Sequence, residues 1–312
     1  MAQRLIGVDV GGTKIAVAVL HGTMLREPAL EPTDTTSAEA LVAQLVAAVR
    51  AAGDAAAVGV AVPSVVDWDT GRIRSSVNIP LHDVPLREVL RNELGIPVFV
   101  DNDATCAALA EAYDEDGALV ARHLVMFTVG TGVGGGIVIG GRVYRGATGA
   151  AAEIGHTLVG AALARAPFAH IDDFPQPGSL ESMASGTALN EIAVEQGLTP
   201  GRVIEAARAG DPAALAAIEL LGRRLGIGIA NAINTFDPDL VVVGGGVSVA
   251  GELLLAPARE EAGRYRLTGV GTRTEIRRAR YGPHAGVRGA ALLAGHELEA
   301  ERAEAARAAQ IA

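Results

Sequence analysis

Apolar and polar positions form short alternating blocks along the chain, and these blocks predict strands and helices in turn. The β-branched runs RLIGVDV and IAVAVL flank the glycine turn GGTK, which predicts a β-hairpin. The segment SAEALVAQLVAAVRAA has helical spacing of its apolar residues, with Ser37 as the predicted N-cap. A strand AVGVAVP, a helix from Pro85, a strand PVFVD and a helix NDATCAALAEAY follow. This order predicts an α/β fold.

The same order returns in the second half of the chain. Residues 123–144, HLVMFTVGTGVGGGIVIGGRVY, again read as strand, glycine loop and strand. Helices near 186–196, 200–209 and 211–235, the strand LVVVGGG, a strand near 273–279 and a final helix from Gly286 come after it. This repeat of pattern, rather than of residue identity, predicts two related α/β domains. We expect them at 1–115 together with 286–312, and at 116–285.

Composition narrows the function classes. The 312 residues are 49% hydrophobic, which is enough for two cores of ordinary size. The net charge of −10, without a Lys/Arg-rich block, argues against nucleic-acid binding. The single cysteine, Cys106, excludes an intramolecular disulfide. A signal peptide and an uninterrupted apolar run of about 18 residues are both missing, so we expect no membrane span and a cytoplasmic location.

The first glycine turn is the first candidate for binding chemistry. Gly11 and Gly12 let the backbone approach a phosphate closely and present N–H groups to it. Thr13 adds a hydroxyl donor, and Lys14, the only lysine among 26 basic residues, adds a positive charge. Asp9 is suited to hydrated Mg²⁺. An ordinary hairpin turn remains the alternative interpretation.

Two further glycine-rich segments are also candidates for binding a phosphate or a nucleotide through the backbone. GTGVGGG (130–136) lies between two apolar strands and has five glycines in seven residues, more than one turn needs. VVVGGGVS (241–248) is a strand running into three glycines and a predicted helix start, where a nucleotide can pack. A bulged hairpin and a plain β–α connection are the alternatives.

Polar side chains with oxygen or imidazole acceptors form a second group of candidates. Asn102 and Asp103 follow a strand at its carboxyl end, where open α/β sheets bind ligands. Both are also ordinary helix N-cap residues, so capping is the alternative role. Glu153, His156 and Glu181 suit the hydroxyl groups of a ligand rather than an anion, although a single Glu or His of this kind is usually a surface residue or a satisfied core residue.

The order of these motifs is more specific than any one of them. DVGGTK, NDA, GTGVGGGIVIGGRVYRGATGAAAEIGH, LESMASG and NAINTFDPDLVVVGGGV together resemble the ROK family of sugar kinases and related repressors. The resemblance covers residues 4–295. It implies the actin-like ATPase (ribonuclease H-like) fold, in which two α/β domains flank a catalytic cleft that takes ATP, Mg²⁺ and a sugar.

The resemblance also implies roles for single residues. Those that match the family's nucleotide site are Asp9, Gly11, Gly12, Thr13, Lys14, Thr131, Gly132, Gly134, Gly244, Gly245 and Gly246. Those that match its sugar site are Asn78, Asn102, Asp103, Glu153, His156 and Glu181, with Asp103 as the general base. The implied activity is an ATP:hexose 6-phosphotransferase, with glucose as the expected substrate, Mg²⁺ bound with ATP near Asp9, and a homodimer left open.

Several alternatives stay open. N-acetylglucosamine, N-acetylmannosamine, mannose, fructose or kanosamine could replace glucose, and polyphosphate could replace ATP. A sugar-sensing transcriptional regulator is disfavoured, since only four residues precede LIGVDV and leave no room for a helix-turn-helix domain.

Two departures from the family pattern bear on metal and substrate. Many bacterial members bind zinc through CxCGxxGCxE, but this chain reads DDFPQPGSLE at that place, so we expect no zinc. The long loop 159–179 stands where the zinc motif would be, and its role is left open. Ser64 occupies a position where glycine is common, close to the expected sugar site, so the preferred hexose is also left open.

Overall fold

The computed structural model describes residues 3–76, 78–160 and 174–311. Within these residues the predicted hairpins, strands and helices are present with some ends shifted by a few residues, except that a 3-10 turn precedes the helix expected directly after LVVVGGG. The strands are β1 (Arg4–Val10), β2 (Lys14–His21), β3 (Met24–Leu25), β4 (Ala29–Pro32), β5 (Ala57–Val62), β6 (Ser64–Asp67), β7 (Arg72–Ser76), β8 (Val98–Asn102), β9 (Leu124–Val129), β10 (Val133–Ile139), β11 (Arg142–Val143), β12 (Leu240–Gly244) and β13 (Glu275–Arg278). The α-helices are α1 (Ala38–Ala52), α2 (Leu86–Leu94), α3 (Asp103–Ala112), α4 (Leu180–Ala184), α5 (Gly186–Glu195), α6 (Val203–Arg208), α7 (Pro212–Phe236), α8 (Glu252–Tyr265) and α9 (Ala285–Ile311).

The chain divides into two compact units. Unit 1 comprises Met1–Val120, Gly141–Ala151 and Pro283–Ala312, and unit 2 comprises Ala121–Gly140 and Ala152–Gly282. The segment Gly141–Ala151, which the expected division places in the second domain, therefore groups with unit 1. Its local pattern does not indicate this, because the grouping depends on contacts with residues far away in the sequence.

Both units have the same strand order around their hairpin. In unit 1 the sheet runs β3-β2-β1-β5-β8, with β1 and β2 antiparallel and both β1–β5 and β5–β8 parallel. In unit 2 the order is β10-β9-β12-β13, with β9 and β10 antiparallel and both β9–β12 and β12–β13 parallel. The run β2-β1-β5-β8 thus corresponds to β10-β9-β12-β13. This correspondence confirms the predicted repeat of pattern.

Alternation along the strands gives the sheet of unit 1 two different faces. Ile6 and Val8 of β1 join an apolar cluster with α1 and α2. Leu5 lies on the other face and joins a cluster with α3 and α9. Successive side chains of a strand point to opposite faces, so Asp9 lies on the α9 side. A Cβ at Gly286, near the start of α9, would indeed come 2.3 Å from an Asp9 carboxylate oxygen.

Glycines allow α9 to approach this sheet closely. A Cβ at Gly59 of β5 would lie 1.8 Å from the carbonyl oxygen of Ala290, and one at Gly7 of β1 would lie 2.0 Å from that of Val287. Both contacts are with backbone, which cannot move aside as a side chain can. The absence of a Cβ at these two positions therefore sets how closely α9 packs on the middle of β1 and β5.

The sheet of unit 2 packs one face against helices α4 to α8. Val125, Phe127 and Val243 lie in this core with apolar residues of all five helices. The longest of these helices, α7, begins at Pro212 directly after its N-cap Asp211. A short 3-10 turn, Gly246–Ala250, separates β12 from α8.

The last two features are the expected lack of a membrane-spanning helix and the long loop 159–179. No helix in the described ranges is long and apolar enough to cross a bilayer. The central part of the loop 159–179, residues 161–173, lies outside the described residues. The two ends of the loop meet in an isolated bridge between Leu158 and Ser179.

Candidate active site

The first glycine turn joins β1 to β2 at the carboxyl end of β1. The N–H of Gly11 donates to the carbonyl of Lys14 at 2.9 Å, and the Thr33 hydroxyl donates to the carbonyl of Gly11 at 2.6 Å. Thr13 and Lys14 are exposed. A Cβ at Gly12 would lie 3.0 Å from that of Asn78, so the structure brings Asn78 against this turn. The turn thus combines a glycine backbone without side chains, the hydroxyl of Thr13 and the positive charge of Lys14.

Asp9 precedes this turn and has an unusual electrostatic environment. Burial, reinforced by the negative charge of Asp103 and partly opposed by Lys14, raises the pKa of the Asp9 carboxyl to about 7. Two carboxylates held close together in a poorly solvated place favour a cationic ligand. The environment of Asp9 therefore fits the expected position of a metal–phosphate complex.

The carboxyl end of β8 presents Asn102 and Asp103. The Asn102 side chain caps α3, accepting from the N–H groups of Ala104 at 2.9 Å and Thr105 at 3.2 Å. Asp103 is the first residue of α3, is half-buried, and accepts from the Ala104 N–H at 2.8 Å. Capping thus falls mainly on Asn102. The Asp103 carboxylate is part of the helix start and still faces partly toward solvent, so the capping and binding interpretations are compatible.

Ser64, the departure from the family pattern, lies directly beside Asn102. The Asn102 amide donates to the Ser64 carbonyl at 3.4 Å. The Ser64 hydroxyl oxygen is buried without a hydrogen-bond partner. The residue therefore contacts the expected sugar-binding strand end through its backbone.

In unit 2 the second glycine turn joins β9 to β10 and is covered by Glu181. The carboxylate of Glu181, in the first turn of α4, accepts from the N–H of Val133 at 2.8 Å. A Cβ at Gly132 would lie 2.3 Å from the same carboxylate, so glycine leaves the space that Glu181 occupies. Thr131 is exposed at the tip of the turn. Gly134, in contrast, lies within β10, paired with Thr128, and not in the turn.

A 3-10 turn, Ile154–His156, brings Glu153 and His156 to the start of the same strand. A Cβ at Gly155 would lie 1.9 Å from the Val133 carbonyl oxygen, so this turn packs directly on β10. Glu153 and His156 are exposed, with 3.9 Å between the nearest carboxylate oxygen and ring nitrogen. Val133 therefore has Glu181 at its N–H and the 3-10 turn at its carbonyl, which groups the three predicted sugar-binding residues of this unit.

The ends of the long loop are attached to this group. The N–H of Leu180 donates to the Thr157 carbonyl at 2.9 Å, and the Phe174 ring makes an edge-on contact with His156, 5.7 Å between centroids. His156 thus contacts Phe174, an aromatic side chain from the end of the loop 159–179. Among the described residues, no group of three or more His, Cys, Asp or Glu side chains is arranged to hold a metal.

The third glycine segment lines a cavity in unit 2. Gly245 has a φ of 81°, and a Cβ there would lie 2.3 Å from the carbonyl oxygen of Val129, so glycine is required for this close approach. The segment that follows is the 3-10 turn Gly246–Ala250 and not the predicted α-helix, because Gly251 interrupts the chain with a φ of 62° before α8 begins. The cavity has a volume of about 270 Å³. Residues that line it include Thr131, Thr187, Leu189, Asn190, Val203 and Gly246.

Sequence reasoning missed Thr187 and Asn190 in this cavity wall. The Thr187 hydroxyl donates to the Thr131 carbonyl at 2.9 Å, and Asn190 accepts from the N–H of Gly201 at 2.8 Å. Both lie on α5, which begins after the N-cap Ser185. The run SGT after LESMA was the available signal, because it marks a helix start directly after a predicted binding residue.

The two units repeat one α/β pattern, which is that of the actin-like ATPase fold. Each unit has a glycine turn in its hairpin and polar side chains at its strand ends, which are the parts expected of a candidate phosphoryl-transfer site. The sequence model of the ROK family matches residues 5–297. This chain belongs to the ROK family.

Individual relatives agree with this assignment. A glucokinase from Halalkalibacterium halodurans is 37% identical over 316 residues, covering 92% of this chain and 94% of its own length. The crystal structure of a ROK family glucokinase from Streptomyces griseus, in complex with glucose and AMPPNP, is similar with a TM-score of 0.77, 34% identity and coverage of 94% and 99% of the two chains. A ROK hexokinase from Thermus thermophilus has a TM-score of 0.79, 35% identity and coverage of 95% and 99%.

Proposed function

We propose that this chain is an ATP-dependent glucose kinase that transfers the γ-phosphoryl group of ATP to the 6-hydroxyl of glucose. The proposal is supported by the glucokinase relative that aligns along 92% of the chain, and by the similar fold of the Streptomyces griseus glucokinase in complex with glucose and AMPPNP. The polar side chains at the site agree with it, because carboxylates, an amide and an imidazole suit the hydroxyl groups of a neutral sugar.

The observation that carries the chemistry is the position of Asp103. Its carboxylate stands half-buried at the end of β8, while the neighbouring Asn102 bonds two N–H groups of the helix start. In the proposed reaction Asp103 accepts the proton of the 6-hydroxyl as that oxygen attacks the γ-phosphorus. The new O–P bond forms as the bond to the bridging oxygen of ADP breaks. Such a transfer depends mainly on positioning and on stabilisation of charge.

Each unit contains its own group of residues that we assign to ligand binding. In unit 1 we assign Asn78, Asn102 and Asp103 to the sugar, and the turn Gly11–Lys14 to phosphate. In unit 2 we assign Glu153, His156 and Glu181 to the sugar, and Thr131, Gly132 and the segment Gly244–Gly246 to the nucleotide. Gly134 would act through the shape of β10, since it lies inside the strand. The cavity beside Gly246 and Thr131 is the proposed place of the adenosine group.

Magnesium fits the residues around Asp9. The high pKa of about 7 for the Asp9 carboxyl reflects burial beside Asp103, and a divalent cation would favour its ionised form. Mg²⁺ commonly binds through one or two carboxylates together with substrate phosphates and water. Asp9 would hold it on the protein side, and the ion would neutralise phosphate charge. Lys14 would supply the second positive charge.

Asp103→Asn tests the role of the base. General-base catalysis contributes about 10²–10⁴-fold, so we expect kcat to fall by about that factor while glucose binding changes little. The matched control is Asp54→Asn, at an exposed position after α1, which should keep wild-type kcat. Steady-state ADP release and calorimetric glucose titration give the two quantities. Wild-type kcat in Asp103→Asn would show that another group accepts the proton.

A donor and acceptor panel tests the substrate. Glucose, N-acetylglucosamine, N-acetylmannosamine, mannose, fructose and kanosamine are each combined with ATP or polyphosphate, and the phosphorylated sugar is quantified. The proposal requires the highest kcat/KM for glucose with ATP. A homodimer stays open, and a cytoplasmic location stays a prediction from the sequence.

A further inference from the structure

A buried network of charged groups reaches the end of β8 in unit 1. Asp101 is only 2% exposed, and its Oδ2 accepts from the Nε of Arg145 at 2.7 Å. Its other oxygen, Oδ1, accepts from the backbone N–H of Asn102 at 2.9 Å. The Nη2 of Arg145 donates to Glu297 of α9 at 2.9 Å. Arg145 therefore connects α9 to the residue that precedes the Asn102–Asp103 pair.

An aromatic side chain completes this network. The Arg145 guanidinium carbon lies 3.3 Å from the ring centroid of Trp68, and that of Arg87 lies 4.8 Å from the same centroid. Arg87 also donates to the carbonyl groups of Trp68 and Asp69. The planar guanidinium group of Arg145 thus lies over a ring and is bonded to two carboxylates. A lysine cannot reproduce this geometry, since its ammonium is a single point of charge.

Such a network is costly if its only role is to stabilise the fold. A buried ion pair often contributes no more to stability than well-packed apolar residues of the same size. Burial raises the pKa of the Asp101 carboxyl, and the Arg145 guanidinium opposes that rise. What the network does provide is a defined orientation: Asp101 is held at both oxygens, one of them by the backbone of Asn102.

We propose that Arg145 is a positioning residue for the phosphoryl-transfer site. By holding Asp101, it holds the Asn102 backbone, whose side chain caps α3 and so sets where the Asp103 carboxylate stands. This inference rests on the proposed function, in which Asp103 accepts the proton of the sugar hydroxyl. The segment Gly141–Ala151 thereby acquires a role at the end of β8, although Arg145 follows Asp101 by 44 residues in sequence.

The test compares Arg145→Met, Arg145→Lys and Glu297→Gln. A displacement of about 1 Å at a reacting group costs about 100-fold, so we expect that loss of kcat/KM for glucose in Arg145→Met and about 10-fold in the two milder variants. The KM for ATP should stay within about twofold, because the network contacts Asn102 and not the glycine turns. If Arg145→Met fails to fold, Arg145→Lys and Glu297→Gln decide the question.

Arg74→Met is the matched control. Arg74 also pairs with an aspartate of unit 1, Asp67, at 2.6 Å, but it is 51% exposed. This variant should keep wild-type kinetics. Trp68 is the only tryptophan, so its fluorescence reports directly whether the Arg145 network is altered in each folded variant.

The outcomes separate the two proposals. Folded variants with altered Trp68 emission, a lower melting temperature and wild-type kcat/KM for glucose would overturn the positioning role and leave a purely structural one. A wild-type chain that phosphorylates no sugar would instead overturn the proposed function.

Discussion

Lys14 provides the sharpest test of the nucleotide turn, because it is the only lysine in the chain. Its side chain is exposed at the start of β2, next to the predicted phosphate-binding glycines. Lys14→Met removes the charge and keeps most of the length of the side chain. Lys14→Arg keeps the charge with a different geometry. The pair separates the need for charge from the need for an ammonium group.

The expected magnitude follows from the exposure of Lys14. Two unit charges about 4 Å apart at an effective dielectric constant of about 20 interact by about 4 kcal/mol. Solvent reduces this at an exposed position, so a net contribution of about 1.5–3 kcal/mol, typical of a hydrogen bond to a charged group, is the better value. We therefore expect kcat/KM for ATP to fall by about 10- to 150-fold in Lys14→Met.

Chemical labelling adds an independent assay. An amine-reactive ester can modify only Lys14 and the amino terminus, and peptide mapping by mass spectrometry distinguishes the two. We expect AMPPNP with Mg²⁺ to protect Lys14 and to leave labelling of the amino terminus unchanged. Equal labelling with and without nucleotide, together with wild-type kcat/KM for ATP in Lys14→Met, would refute the assignment of this turn to phosphate.

Two further predictions concern stability. Gly59→Ala should lower the free energy of unfolding, measured by denaturant titration, by about 3 kcal/mol or more, because its Cβ would lie 1.8 Å from the Ala290 carbonyl oxygen. The control is Gly263→Ala, which has open space around it and should be neutral or stabilising by up to about 1 kcal/mol in the same titration. Burial lowers the pKa of His296 in the folded protein below its usual value of 6.5. The neutral imidazole therefore contributes stability above pH 6.5, and this contribution is lost as the pH falls through the lower pKa of the folded state. By calorimetry, wild-type protein should lose more melting temperature than His296→Gln between about pH 8 and pH 5.5; equal losses would exclude the effect.

The strands, helices and hairpins of this protein follow from local sequence. β-Branched runs around GGTK and GTGVGGG predicted both hairpins, and apolar spacing predicted α1, α5 and α7 close to their observed ends. These features depend on residues near each other in the chain, where periodicity and turn chemistry are visible. β6 and β7 escaped this reasoning because the runs SVVD and RIRSS are short and lack a distinct period.

Residues of the candidate site could be predicted from the sequence only where they belong to a recognisable motif. Asn102 and Asp103 follow a strand directly, so their position at a strand end was expected. The contact of Glu181 with Val133, and of Thr187 with Thr131, joins residues 48 and 56 positions apart and leaves no periodic signal.

The network of Arg145 with Asp101 and Glu297 also joins residues that are distant in sequence, 44 and 152 positions apart. Only the tertiary structure decides such pairs, because α9 returns to the first sheet and Gly141–Ala151 groups with unit 1. The sequence by itself therefore determined most of the elements, their repetition and the family's motifs. Folding decided which side chains pack around the strand end that bears Asn102 and Asp103, since close packing and buried charge depend on partners that chain order does not bring together.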